Sequence, residues 1–258
     1  MNSKSAFAST EGILIGVALV CTQTIGTALP GECGLNRTQA TDTVRARLAF
    51  GESIQVKVGF HGGIWTSIDG TNWISRQSGI VFSLYAVAHG NGVFVAVGNE
   101  GALVTSADGI TWTVRHSGTD ERLRGVACAN GTFVAVGYEG TILTSKNGTR
   151  WHSRNSKTRD RLQGVAHGCG TFVAVGWNGA ILTSLDGSRW TARTSGVSAN
   201  LYALTFDDGV FAASGEAGGT LVSSDGFTWA ARRPLRPGTN LERWFNGAIP
   251  SCPGPARK

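Results

Sequence analysis

Short apolar runs return along this chain at a constant interval, and none keeps the three-to-four-residue rhythm of an amphipathic helix. The run FVAVG occupies 94–98, 133–137 and 172–176, and FAASG stands at 211–215. Each is followed within eight residues by a second run: LVTS at 103–106, ILTS at 142–145 and 181–184, TLVS at 220–223. Apolar runs that do not alternate with polar residues suit strands covered on both faces. Before each pair comes a further stretch, LYAVAHGNG (84–92), LRGVACANG (123–131), LQGVAHGCG (162–170) and LYALTFDDG (201–209), which predicts an inner strand and its turn.

The interval is set by tryptophan. Trp73, Trp112, Trp151, Trp190 and Trp229 are each 39 residues apart, with no insertion between them. Each closes a heptad: SIDGTNW, SADGITW, SKNGTRW, SLDGSRW and SSDGFTW, with Asp69, Asp108, Asn147, Asp186 and Asp225 at the third position. An Asp-Gly or Asn-Gly pair between apolar runs predicts a tight hairpin turn of type I′, with both central residues at positive φ. The serine and the acid are placed to hydrogen-bond back onto the turn. Four strands in about 40 residues make a propeller blade, so the fold expected is all-β, a β-propeller of five 39-residue, four-stranded blades.

Those blades start at 45, 84, 123, 162 and 201 and fill 45–239. The first is degenerate, with Gln55 where the others carry phenylalanine and Ser53 where they carry glycine. Residues 1–44 form an N-terminal tail, and 240–258 a C-terminal one in which Leu241 to Ile249 offers a closing strand. Six blades would need 234 residues and a contribution from the tails; seven would need 273, more than the 258 present. Arg76, Arg115, Arg154, Arg193 and Arg232 each follow the turn tryptophan by three, which on an outermost strand predicts an outward charge that discourages edge pairing.

Composition alters this picture little. Charged residues are 16% of the chain against the usual ~25%, and 37 glycines are about twice the usual share, which fits many tight turns. The net charge of +6 is a modest lever on a polyanion, so nucleic acid is not an expected partner. Cys21, Cys33, Cys128, Cys169 and Cys252 contain no CxxC pair and no zinc spacing; no metal and no cofactor are expected. They read as small buried or tail residues, or as partners in pairs such as Cys33 with Cys252 in an oxidising compartment. Lys4, the apolar run from Ile13 to Val20 and the small residues up to Ala28 predict an export signal, while eight apolar residues are too few to span a membrane.

The heptads resemble the Asp-box, or BNR, repeat of sialidase-like propellers, whose usual form is S-x-D-x-G-x-x-W. The whole blade is similar to YVTN/BNR-like repeats and, more distantly, to the photosystem II stability and assembly factor type of propeller. The likeness covers about 195 of 258 residues and departs in one respect, since aspartate and glycine are adjacent here. In that superfamily the Asp box is a fold element remote from the active site, so the resemblance implies no enzyme. A sialidase would imply an arginine triad, a tyrosine with a glutamate partner and an acidic proton donor. The chain holds three tyrosines, Tyr85, Tyr138 and Tyr202, of which Tyr85 and Tyr202 share an inner-strand position that predicts packing.

Sites sit where loops vary on a rigid scaffold. Against a near-invariant repeat, the turn between the second and third strands varies: Phe60-His61, Asn99-Glu100, Tyr138-Glu139, Trp177-Asn178 and Glu216-Ala217. Tyr138 and Trp177 are candidates to stack on a sugar ring or an apolar anchor of a partner protein, with Asn178, Glu139, Glu100, Asn99, His61 and Glu216 as polar contacts. The blade connections add Asp120, Glu121, Arg122 and Arg124, then Lys157, Arg159, Asp160 and Arg161, whose mixed signs predict a solvated, salt-bridged rim. His89, Cys128 and His167 share one inner position and are expected to pack. The function expected is non-catalytic recognition of a protein or glycan partner by a monomer. The alternative is a glycoside hydrolase with Glu100 and Glu139 as paired carboxylates.

Overall fold

The computed structural model describes residues 48–51 and 54–232; both tails, with the export signal and the closing strand expected there, lie outside them. The described residues form twenty strands in five antiparallel four-stranded sheets, each sheet running in simple sequence order. The protein is an all-β propeller of five blades. Blade 1 holds β1 (Leu48–Phe50), β2 (Gln55–Val58), β3 (Ile64–Ser67) and β4 (Ile74–Arg76). Blade 2 holds β5 (Leu84–Gly90), β6 (Val93–Gly98), β7 (Leu103–Ser106) and β8 (Thr113–Val114); blade 3 holds β9 (Leu123–Ala129), β10 (Thr132–Gly137), β11 (Ile142–Ser145) and β12 (His152–Arg154). Blade 4 runs through β13 (Leu162–Gly168), β14 (Thr171–Gly176), β15 (Ile181–Ser184) and β16 (Thr191–Arg193), and blade 5 through β17 (Leu201–Asp207), β18 (Val210–Gly215), β19 (Thr220–Ser223) and β20 (Ala230–Arg232).

The apolar runs are strands buried on both faces, because a blade is covered by a neighbour on each side. Each hydrophobic core lies between two blades. Val56, Val58 and Ile64 of blade 1 pack on Leu84, Phe94 and Val104 of blade 2, and blades 2 and 3, 3 and 4, and 4 and 5 repeat the arrangement. Five blades are thus joined by four cores, and among the described residues no fifth core joins blade 5 to blade 1.

The heptad turn differs from the expected type I′ hairpin. Only its glycine has positive φ, as at Gly70 (75°) and Gly109 (73°). The acid prevents the tighter turn by drawing the backbone around itself: Asp108 Oδ1 accepts the N–H groups of Ile110 and Thr111 at 2.8 and 2.7 Å and the Ser106 hydroxyl at 2.8 Å. Trp112 Nε1 then donates to the Gly109 carbonyl at 2.9 Å, and the ring packs 6.3 Å from Phe94. Paired positive φ occurs instead at Asn91-Gly92, Asn130-Gly131, Cys169-Gly170 and Asp208-Gly209, between the first and second strands.

Four members of the arginine series do not face outward. Arg76, Arg115, Arg154 and Arg193 are half-buried, and their Nε atoms donate to Thr66, Thr105, Thr144 and Thr183 Oγ1 at 2.8–3.0 Å. They pin the outermost strand to its neighbour. Cys128 and Cys169 are both disulfide-bonded, so these two are more than small core residues. His89 and His167 pack on Phe94 and Phe172 at 4.4 and 4.7 Å between ring centroids, and burial lowers the His167 pKa.

Candidate functional site: an aromatic and arginine row on one face

Each variable pair lies in a short 3-10 turn between the second and third strands, and in four of the five the second residue is in the left-handed region: His61 φ 52°, Glu100 52°, Glu139 51° and Asn178 56°. The backbone holds this shape without help from the variable side chains. Thr141 N–H donates to the Tyr138 carbonyl at 2.9 Å, and Gly140 N–H reaches back to the Asp160 carbonyl, in the connection to the next blade, at 3.0 Å. Gly140 is required there: at φ 65° a Cβ would lie 2.0 Å from the Thr158 carbonyl oxygen.

Three backbone contacts bring the blade connection beside the variable turn. Asn99, Tyr138 and Trp177 N–H groups donate to the carbonyls of Ser83, Arg122 and Arg161 at 2.9–3.0 Å. A residue sixteen positions upstream therefore stands next to each of these turns, as Asn200 does next to Glu216 in blade 5. A β-bulge opens each inner strand, for the register slips between Leu84 and Ala86 and likewise at 123–125, 162–164 and 201–203. The unpaired extra residues are Tyr85, Arg124, Gln163 and Tyr202, and a bulge re-aims the side chain it carries.

A row of alternating rings and guanidinium groups results across blades 2, 3 and 4. Arg124 lies 4.5 Å from the Tyr85 ring centroid, and Arg122 lies 5.8 Å from Tyr85 and 5.2 Å from Tyr138. Arg161 lies 4.7 Å from Tyr138 and 4.2 Å from Trp177. Each such contact contributes roughly 0.5–1 kcal/mol where exposed. Arg122 Nε also donates to Asn99 Oδ1 at 2.7 Å, and Arg124 Nε to the buried Gln163 Oε1 at 2.9 Å. The salt-bridged rim expected here is not formed by Arg122 or Arg161, neither of which pairs with a described carboxylate. Asp160 instead accepts Asn178 Nδ2 at 2.7 Å and the Thr158 hydroxyl at 2.6 Å. Trp177 Nε1 is buried and has no hydrogen-bond partner among the described residues.

Of the residues singled out from sequence, Asn99, Tyr138 and Trp177 join this row and Asn178 borders it. Glu100 and Glu139 are exposed turn residues, Asn99 Nδ2 lying 3.3 Å from Glu100 Oε1. His61 is exposed at the blade 1 end, its N–H 3.3 Å from Ser83 Oγ. Glu216 lies at the blade 5 end, where it accepts Tyr202 Oη at 2.9 Å and Asn200 Nδ2 at 2.6 Å. Tyr202 therefore departs from the packing expected of it: it is 48% exposed and bound to a glutamate. That hydrogen bond lowers the Glu216 pKa and raises that of Tyr202, which keeps the phenol protonated, the opposite of what an attacking phenolate needs.

Sequence reasoning saw Arg122, Arg124 and Arg161 as rim charges and did not join them to the rings. A sign was present in the sequence, since the residue after the leading leucine of the inner strand is Tyr, Arg, Gln or Tyr in a repeat that barely varies nearby.

No protein-family model matches this chain, and no curated protein does. Solved structures do. The chain is similar to YCF48 from Cyanidioschyzon merolae (17% identity, TM-score 0.53, over 72% of this chain and 70% of that one). It is also similar to YCF48 bound to D1 peptide (22% identity, TM-score 0.54, over 71% and 64%) and to a chain of a nidogen/laminin complex (14% identity, TM-score 0.56, over 70% and 76%). At these identities the likeness is one of fold, and it places the five four-stranded sheets among β-propellers.

Proposed function

We propose that this chain is a non-catalytic binding module that takes a segment of a partner protein across the face carrying Tyr138 and Trp177. The observation that carries the reading is the row of rings and guanidinium groups, in which Arg122 and Arg161 each lie over two aromatic rings with no described carboxylate opposite them. A guanidinium fixed in this way is pre-organised to take a carboxylate in a two-pronged hydrogen bond, while exposed ring edges accept an apolar side chain. The ligand expected is an extended segment bearing acidic and apolar side chains. The likeness to propellers solved with a peptide and within a protein complex supports a protein partner. The Ser–Asp hydrogen bonding of the heptads supports their assignment to the Asp-box type, and disulfide-bonded Cys128 and Cys169 support an exported chain.

A peptide array probed with the full chain tests the reading. Bound peptides should be enriched in Asp, Glu and apolar residues, and Arg161→Gln and Trp177→Ala should each weaken binding at least fivefold with circular dichroism and melting unchanged. Binding that is the same in both variants removes this face from consideration.

A further inference from the structure

Four of the five heptad turns place an aspartate ahead of the glycine, and blade 3 places Asn147 there instead. An Asn-Gly pair holds an electrophile beside a nucleophile, because the side-chain amide carbon Cγ and the glycine nitrogen close a five-membered ring when they bond. Among the described residues there are four such pairs, led by Asn91, Asn130, Asn147 and Asn178.

Its surroundings set Asn147 apart. Its Oδ1 accepts the N–H groups of Thr149 and Arg150 at 3.0 and 3.1 Å and the Ser145 hydroxyl at 3.2 Å. Three donors converging on one carbonyl oxygen make an oxyanion hole, set where negative charge collects when a nucleophile adds to Cγ. The bond from Thr149 also closes a short ring that contains both Cγ and the Gly148 nitrogen, which keeps the electrophilic carbon near its nucleophile. Gly148 N–H in turn donates to Ser145 Oγ at 2.9 Å. One hydroxyl therefore touches both the proton that must leave the nucleophile and the oxygen that must receive one.

The leaving group is free to depart. Asn147 is exposed, and its Nδ2 has no hydrogen-bond partner among the described residues. In the other three pairs that nitrogen is tied down: Asn91 Nδ2 donates to the Lys146 carbonyl at 2.9 Å, Asn130 Nδ2 lies 3.3 Å from His167 Nε2, and Asn178 Nδ2 donates to Asp160 Oδ1 at 2.7 Å. The aspartate heptads share the turn but not the reactivity, because a carboxylate is a poor electrophile and the hydrogen bonds of the turn keep it ionised, as at Asp108.

We propose that the blade 3 turn is a self-modifying site that converts Asn147 to aspartate. Ser145 Oγ takes the Gly148 proton as it passes its own to Asn147 Oδ1, and the Gly148 nitrogen bonds to Cγ. The tetrahedral carbon expels Nδ2, which takes the proton back from the oxygen and leaves as ammonia. Water then adds to Cγ of the cyclic imide, the bond from Cγ to the Gly148 nitrogen breaks, and that nitrogen regains a proton. Asparagine and water become aspartic acid and ammonia, with no electron transferred. Opening at the main-chain carbonyl instead would insert an extra backbone atom between β11 and β12, so the folded hairpin directs water to Cγ. The new carboxylate receives the same two N–H groups and stands three residues before Arg150, the spacing at which Asp186 and Arg189 pair at 3.8 Å.

The full chain, incubated at neutral pH either folded or in urea, is digested at acid pH and read by mass spectrometry that separates asparagine, aspartate and isoaspartyl peptides. Asn147 should convert at least threefold faster folded than in urea, chiefly to aspartate, while Asn91, Asn130 and Asn178 should convert more slowly when folded; this comparison needs no variant. Ser145→Ala, with its fold checked by circular dichroism, should slow the folded reaction at Asn147 at least tenfold and leave the rate in urea unchanged, whereas Ser145→Thr, which keeps the hydroxyl, should retain it. Conversion of Asn147 that is no faster folded than in urea, a mainly isoaspartyl product, or a folded rate unmoved by Ser145→Ala would each overturn the proposal.

Discussion

Replacing Asn147 by aspartate should stabilise the protein. Four heptads place a carboxylate where blade 3 places an amide, and the hydrogen bonds record the difference. The two backbone N–H groups lie 2.8 and 2.7 Å from Asp108, 2.8 and 2.9 Å from Asp186, and 2.7 and 2.8 Å from Asp225. At Asn147 they lie at 3.0 and 3.1 Å, from Thr149 and Arg150. A charged acceptor makes shorter bonds, roughly twice as strong as neutral ones. Exposure of the turn removes much of that advantage, so two bonds improved by a few tenths of a kcal/mol each give about 0.5–0.8 kcal/mol, or about 1–3 °C in Tm for a chain of this size. Arg150 also follows Asn147 by three, the spacing at which Asp186 and Arg189 pair at 3.8 Å.

The gain carries a pH signature. Backbone hydrogen bonds from Thr111 and Ile110 hold Asp108 down at about 2, and an aspartate at 147 should be lowered likewise. A group depressed on folding contributes stability that is complete above its unfolded pKa, about 4, and is lost as pH falls toward the folded value. Chemical denaturation of wild type and Asn147→Asp should therefore separate at pH 7 and converge near pH 2. Equal stability at pH 7, or a gap that persists undiminished at pH 2, would refute the reasoning.

Two further substitutions probe the scaffold. Gly140→Ala should cost about 2 kcal/mol or more, because positive φ adds to a collision with the Thr158 carbonyl, whereas Gly170→Ala, at φ 73° with open space around it, should cost about 1 kcal/mol; similar losses in urea unfolding would count against the close approach. Thr144→Val takes away the acceptor 2.8 Å from half-buried Arg154 Nε and should cost about 1.5–3 kcal/mol, so an unchanged midpoint would mean water replaces the bond.

The blades were legible because their signals are local and repeat in register. Turn glycines, the heptad and doubly buried strands each depend on neighbours in sequence, and a 39-residue period multiplies weak cues. The turn type was misread because Asp108 uses its side chain to set the backbone, which an Asp-Gly pair does not announce. The binding face was half legible. Tyr138 and Trp177 stood out as variation against a constant background, but Arg161 meets them across a turn contact sixteen residues long and Tyr85 meets Arg124 through a bulge, neither of which leaves a periodic trace. Arg154 was misdirected for a related reason, since alternation along a strand places its Cβ but not a guanidinium long enough to fold back onto Thr144.

The turns of the variable rim are closed by main-chain bonds such as Thr141 to Tyr138 and Gly140 to Asp160. Folding consequently asks little of the two side chains each turn displays. Histidine, glutamate and asparagine all occupy the left-handed position at nearly the same φ, so these corners tolerate rewriting while the strands stay fixed. Selection for a new partner can act on the four corners that share this geometry with little foldability penalty, and a library confined to those eight positions should retain the propeller in most of its members.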